Sequence, residues 1–147
     1  MRALLDVNVL IALLDAGHVH HRLVTAWLER EIGHGWASCP LTQNGCIRIM
    51  SQTAYPGALP AGDVAKRLAE AASHPSHEFW TADISLLDRD MFHWNRILGP
   101  RQVTDVYLLA LAMGHQGRFV TLDRRVAAEA VAGGIDKHLC CIAKQSC

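Results

Sequence analysis

The sequence has no excess of charge of either sign, because its 14 lysine and arginine residues are matched by 14 aspartate and glutamate residues. A neutral total argues against general binding of polyanions, although it leaves room for a local acidic pocket with arginines around it. No proline-, serine- or glycine-rich stretch divides the chain, and it contains no internal repeat. At 147 residues, such a chain is predicted to form one domain with a single core.

Long hydrophobic runs are also missing. The apolar stretch near the start, ALLDVNVLIALL, is shorter than the roughly 20 residues of a transmembrane helix. It contains Asp6 and Asn8 and lacks the small-residue cleavage site of a signal peptide. We therefore expect a cytoplasmic protein that has no contact with a membrane.

The five cysteines are an odd number, and the adjacent Cys140 and Cys141 do not have the spacing of a zinc knuckle. A disulfide framework is therefore not expected. The sequence favours cysteines that are small, buried, apolar side chains.

Short apolar runs alternate with amphipathic stretches along the chain. The predicted strands are 3–5, 36–40, 78–82, 118–122 and 138–142, and the predicted helices are 8–14, 21–32, 63–72 (capped by Asp63), 85–98, 106–117 and 124–131. This alternation predicts an α/β fold with a central parallel sheet and helices on both faces. The domain should span 1–142, followed by a polar tail, 143–147.

Three aspartates follow predicted strands or begin a predicted helix. Asp6 comes after the first strand, Asp123 comes after the fourth, and Asp105 precedes the apolar helix from 106. Each residue alone is typical of a helix cap. Together they predict an acidic site, because ligands of open parallel sheets bind beyond the carboxyl ends of the strands.

Three converging carboxylates would repel one another without a cation between them. Mg²⁺ and Mn²⁺ prefer oxygen ligands, and such ions can activate a water and neutralise the charge that develops on an attacked phosphate. We therefore expect Asp6, Asp105 and Asp123 to be both metal ligands and catalytic residues.

Three segments carry a family resemblance that covers nearly the whole chain. LLDVNVLIALLD at the start, QVTDVYLLALA at 102–112 and FVTLDRRV at 119–126 resemble, in order and spacing, the motifs of PIN-domain ribonucleases, and in particular the VapC toxins of VapBC toxin-antitoxin pairs. The resemblance implies a Mg²⁺- or Mn²⁺-dependent endoribonuclease that cleaves structured RNA, usually transfer or ribosomal, and is neutralised by a cognate VapB antitoxin. It places the acidic site on Asp6, Asp105 and Asp123.

The same resemblance implies further site residues and an oligomeric state. Asn8 and Thr121 match polar positions that flank the acidic site, and family members commonly form homodimers. Arg101, Arg124 and Arg125 adjoin the site in sequence and are candidates for contacts with RNA phosphates, with exposed surface arginines as the alternative.

The segment Thr42-Gln43-Asn44-Gly45 predicts a polar corner at the same rim, leading into a short helix. Family members are expected to have a glutamate in this corner, where this chain has Gln43, with Asn44 as a supporting polar residue. A neutral amide should weaken metal binding without harming the fold. A catalytically weak module that binds RNA or antitoxin is therefore the alternative function.

Other features are better explained by structure. A phosphatase with Asp6 as nucleophile is disfavoured, because Asn8 cannot protonate a leaving group. We expect His18, His20 and His21 to form a polar helix entry. The acidic group Asp83, Asp88 and Asp90 is expected to provide a helix cap and an exposed face. The tryptophans Trp27, Trp80 and Trp94 are expected to pack in the core or in a dimer interface.

Overall fold

Five short parallel strands form the centre of the computed structural model, which describes residues 1–144 and 147. They are arranged in the order β3-β2-β1-β4-β5. Their bounds are β1 Ala3–Leu5, β2 Trp36–Ser38, β3 His77–Phe79, β4 Arg118–Thr121 and β5 Leu139–Cys141. The predicted parallel sheet is therefore confirmed.

Five α-helices cover the two faces of the sheet: α1 Val7–Leu14, α2 His21–Glu31, α3 Pro40–Met50, α4 Ala61–Ala72 and α5 Val103–Gly114. Leu5 and Val120 pack in a core with residues of α1 to α4. Leu4 and Phe119 point the other way and pack against α5. Successive residues of the central strands are thus buried on opposite faces, which confirms the predicted three layers.

The strand order places a ligand-binding crevice beside β1. From β1 the chain goes to β2 on one side, whereas β4 pairs with the other side of β1 and continues to β5. The crevice lies beyond the carboxyl ends of β1 and β4, because the chain leaves these two neighbouring strands towards opposite edges of the sheet. Asp6 follows β1 directly, and Asp123 comes two residues after β4. No helix among the described residues is long and apolar enough to cross a membrane.

The polar corner predicted at Thr42-Gln43-Asn44-Gly45 is wrong, because these residues lie inside α3. Pro40 occupies the first turn, where its missing N–H costs nothing. The Thr42 hydroxyl accepts from the Cys39 N–H at 3.0 Å and donates to the Cys39 carbonyl at 3.1 Å. This local bonding starts the helix earlier than the polar residues suggested.

The helix predicted over 85–98 is also wrong. This segment forms turns and a short 3-10 helix, Trp94–Arg96. The Ser85 hydroxyl accepts from the Leu87 N–H, and the Asp88 carboxylate accepts from the Asp90 N–H. Such bonds give the backbone an alternative to helical hydrogen bonding.

The helix predicted over 124–131 is reduced to a 3-10 turn, Ala128–Ala130. The segment pairs with a neighbouring loop, since Phe92 and Val131 form an antiparallel bridge and the His93 N–H donates to the Ala130 carbonyl. Asp63 also differs from the prediction, because α4 begins at Ala61 and Asp63 lies in its first turn.

The cysteines are only partly as predicted. Cys39, Cys46 and Cys141 are buried and free, but Cys140 is joined to Cys147 by a disulfide. A 3-10 turn, Ile142–Lys144, redirects the chain after β5, and the two Cα atoms lie 4.6 Å apart. Of the predicted polar tail, 143–147, Gln145 and Ser146 lie outside the described residues.

Gly45 allows α3 to approach α1 closely. A Cβ atom at this position would lie 2.6 Å from Cγ2 of Val7, and the branched valine side chain has little freedom to move away. We expect Gly45→Ala to lower the free energy of unfolding by about 1 kcal/mol. Overpacking costs about 1–3 kcal/mol, which exceeds the gain of about 1 kcal/mol in helix propensity.

Urea denaturation would measure this effect. Gly62→Ala is the matched control, because Gly62 lies in α4 with open space around its Cα. This control should stabilise the protein, and a Val7→Ala, Gly45→Ala double variant should recover part of the loss. Stabilisation by Gly45→Ala alone would show that α1 and α3 can separate freely.

Candidate active site

Asp6 is a buried acid with two roles. Its side chain accepts the Val7 N–H at 2.7 Å, which caps α1, and the Thr121 hydroxyl donates to its other oxygen at 2.6 Å. Only 5% of the residue is exposed. Burial raises the pKa of its carboxyl above the usual value, and these hydrogen bonds counteract the rise in part. The capping role of Asp6 is therefore confirmed, and its role in the site stays a prediction.

Thr121 and Asn8 connect the ends of β1 and β4. The Thr121 oxygen, which donates its proton to Asp6, accepts the Asp123 N–H at 2.9 Å and the Asn8 amide at 3.3 Å. The side-chain oxygen Oδ1 of Asn8 accepts the Leu122 N–H at 3.2 Å. The two predicted flanking residues thus orient Asp6 and the backbone at Asp123.

Asp105 reaches this rim from the first turn of α5. Burial raises the pKa of its carboxyl to about 7, with further contributions from the charges of Asp6 and Asp123. The three predicted acids therefore lie within electrostatic reach of one another, although they come from three different parts of the chain.

Asp123 is paired with a cation. Its carboxylate accepts from Nε and Nη2 of Arg125, at 3.1 and 2.8 Å. These bonds lower the pKa of the Asp123 carboxyl below its usual value. Arg125 therefore neutralises one of the acids, in addition to being a predicted phosphate contact.

Gln43 and Asn44 lie on different faces of α3, as expected for neighbours in a helix. Asn44 lines a cavity of about 460 Å³ together with Asp6 and Asp105. Gln43 instead donates from Nε2 to the Ser38 hydroxyl oxygen at 3.1 Å, and that hydroxyl also bonds the His77 ring at 2.8 Å. Asn44 is the amide that shares a cavity with the acids, whereas the site role of Gln43 stays a prediction.

Arg48 also lines this cavity and was missed by the sequence analysis. It lies four residues after Asn44, so the two side chains share a face of α3. That signal is visible only once 40–50 is recognised as one helix. Of the predicted phosphate contacts, Arg124 donates to the Ala143 carbonyl at 3.0 Å, and Arg101 is exposed in a 3-10 turn, Pro100–Gln102.

The donor chemistry of the site fits a hard divalent ion. Its carboxylates destabilise one another's ionised forms, and such repulsion is relieved by a cation that takes oxygen ligands. Within residues 1–144 and 147, no three acidic, histidine or cysteine side chains already enclose a metal position, and Asp123 faces Arg125. Metal ligation would thus require Asp123 to exchange this partner.

The other clusters have structural roles. The His21 ring donates to the Ala12 carbonyl, and the His18 ring accepts the His20 N–H at the start of α2. Trp27 and Trp80 are buried in the two cores, whereas Trp94 is half exposed.

The raised pKa of Asp105 predicts how stability depends on pH. Between pH 4 and about 7 the folded protein keeps a proton that the unfolded chain releases, so the metal-free protein should lose stability as pH rises. Asp105→Asn removes this effect. We expect the variant to gain more in Tm at pH 8 than at pH 5, by a few degrees, since about 1 kcal/mol shifts Tm by about 2–4 °C at this size.

Thermal unfolding in EDTA at several pH values would measure the difference. Asp90→Asn, which removes an exposed carboxylate outside the site, is the control and should follow the wild-type curve. Parallel curves for wild type and Asp105→Asn would contradict the raised pKa of the Asp105 carboxyl.

Comparison with known proteins agrees with this geometry. The family model "PIN domain" matches residues 3–132. Ribonuclease VapC44 of Mycobacterium tuberculosis (strain ATCC 25618 / H37Rv) is 50% identical over 139 residues, which cover 95% of this chain and 98% of the relative. Ribonuclease VapC39 of the same strain is 39% identical over 92% of the chain and 99% of the relative. The crevice acids, the parallel sheet and these matches together show that the chain belongs to the PIN-domain family, among the VapC-type ribonucleases.

Proposed function

We propose that this protein is a Mg²⁺- or Mn²⁺-dependent endoribonuclease toxin that hydrolyses phosphodiester bonds in structured RNA, transfer or ribosomal. The observation that carries the proposal is the convergence of Asp6, Asp105 and Asp123 at one rim, with the pKa of Asp105 raised to about 7. The relatives in the comparison bear the name ribonuclease, which supports the same reaction class.

Asp6, Asp105 and Asp123 would hold the ion, with Asn44 beside them. When bound, such an ion supplies an activated water and neutralises the charge that develops on the attacked phosphate. Thr121 keeps Asp6 oriented by donating its only hydroxyl proton to it. Arg125 would leave Asp123 for the incoming RNA, since its side chain is exposed and such surface pairs contribute little to stability.

A cognate VapB antitoxin is the proposed inhibitor, since the VapC-type relatives take their name from such pairs. A homodimer and a cytoplasmic location accompany the proposal as expectations from the sequence. The alternative function, a catalytically weak module that binds RNA or antitoxin, is favoured by one observation: the amide of Asn44, rather than a fourth carboxylate, shares the cavity with the acids.

Replacement of Asp6 tests the reaction. Asp6→Asn removes the charge and keeps one side-chain oxygen, which can accept one of the two hydrogen bonds that Val7 and Thr121 donate to Asp6. We expect Mg²⁺- or Mn²⁺-dependent cleavage of bulk transfer and ribosomal RNA to fall at least about a hundredfold, because loss of groups that merely orient ligands already costs about 10–100-fold. Gel analysis of RNA fragments would measure the effect.

Two controls accompany this experiment. Asp90→Asn should cleave like wild type, and circular dichroism should show that Asp6→Asn is folded. Cleavage that survives in Asp6→Asn, or in wild type with EDTA, would refute the proposed metal-dependent reaction.

Restoring a charge on α3 would distinguish the active enzyme from the weak module. At about 4 Å and an effective dielectric near 20, an added charge pair is of order 4 kcal/mol before desolvation offsets most of it. We therefore expect Asn44→Asp to raise Mn²⁺ affinity by about tenfold and to increase cleavage. Gln43→Glu should gain less, because it replaces the amide donor to Ser38 with an acceptor.

Isothermal titration calorimetry with Mn²⁺ and cleavage assays on both variants would provide the comparison. If only Gln43→Glu gains Mn²⁺ affinity and cleavage, residue 43 is the fourth ligand position, as the sequence predicted. No gain in either variant would show that α3 does not face the metal.

A further inference from the structure

The cavity beside Asp6 and Asp105 is a groove along α3. Its lining residues come from the start of α1, from one face of α3 and from the start of α5: Asp6, Val7, Pro40, Leu41, Asn44, Gly45, Arg48, Ile49, Thr104 and Asp105. Its volume, about 460 Å³, lies within the roughly 300–1,000 Å³ of small-ligand sites. The groove is therefore large enough to hold more than a metal ion.

The wall of the groove combines acidic and apolar side chains. Asp6 and Asp105 are its acids, and Val7 on α1 with Leu41 and Ile49 on α3 are apolar. Arg48 is the cationic side chain among the described lining residues. It lies one turn of α3 beyond Asn44, about 6 Å away along the helix surface.

The Arg48 guanidinium is available to a ligand. The side chain is exposed, and within residues 1–144 and 147 it makes neither an ion pair nor a hydrogen bond. By contrast, Arg125 is paired with Asp123 and Arg124 donates to Ala143. Arg48 therefore differs from two of the predicted phosphate contacts.

We propose that this groove binds the nucleotide next to the cleaved bond of an RNA strand, with Arg48 donating to its phosphate and the apolar wall contacting its ribose and base. A guanidinium recognises phosphate oxygens through charge-assisted hydrogen bonds. With a bound divalent cation offsetting most of the negative charge of the acids, Arg48 supplies a local positive charge that suits a phosphate better than a neutral peptide. The inference rests on the proposed ribonuclease function, because the acids must act on a phosphodiester for a neighbouring phosphate to reach Arg48.

Arg48→Gln tests the contact, and Arg67→Gln is its matched control. Arg67 is an exposed arginine on α4 and does not line the groove. Binding of a fluorescently labelled single-stranded RNA of mixed sequence would be followed by anisotropy over a series of salt concentrations, with Ca²⁺ in place of Mg²⁺ at the acids. We expect Arg48→Gln to weaken binding about tenfold and to reduce the slope of log affinity against log salt by about 0.7.

Two further measurements separate a phosphate contact from a structural role. Arg48→Lys should retain part of the affinity and most of the salt slope, because it keeps the charge but loses the planar fork. With Mg²⁺ and bulk transfer RNA, Arg48→Gln should raise KM more than it lowers kcat, as expected for a group that binds substrate and transition state equally. Arg67→Gln should match wild type in all of these assays.

The failure of this inference can be distinguished from failure of the proposed function. A wild-type protein that cleaves RNA, with an Arg48→Gln variant of unchanged affinity and salt slope, overturns the inference alone and leaves the groove to a protein partner. An equal loss in Arg67→Gln would also overturn it, by showing a general effect of charge. A wild type that neither binds nor cleaves RNA overturns both.

Discussion

The hydrogen bond between the Thr121 hydroxyl and the Asp6 carboxylate is the contact on which the rest of the site depends. Both residues are buried, and an ionised carboxylate in such surroundings is costly unless it is hydrogen-bonded. The bond crosses from β4 to the end of β1, so the pairing of the two central strands places both partners. The same oxygen receives the backbone N–H of Asp123, which couples a second acid to the first.

Opposing effects set the ionisation of the acids in the site. Burial and the neighbouring acids act against ionisation of Asp105, whereas Arg125 favours ionisation of Asp123. One acid is thus close to neutral and another is already paired. This arrangement lets three carboxylates occupy one rim without a large net repulsion, and it leaves the rim able to accept added positive charge.

The sequence predicted the sheet, and the position of two acids at its rim, because these depend on local patterns. Apolar runs of strand length marked the strands, and Asp6 and Asp123 come just after two of them. The errors came from side chains that compete with regular structure. Ser85 and Asp88 bond their own backbone where the apolar spacing suggested a helix, and the segment before Val131 pairs with the loop at Phe92. Arg48 was missed because polar residues at 42–45 concealed the start of α3.

The position of α3 limits which insertions and deletions the chain can tolerate. Asn44 and Arg48 face the groove, whereas Gln43 faces the scaffold at Ser38. Loss or gain of one residue between β2 and Asn44 would rotate the following helix by about 100°, bringing scaffold side chains into the groove and turning groove side chains away from it. The length of this short connection therefore decides which side chains face the groove, and insertions or deletions should be tolerated better in the turns around 51–60.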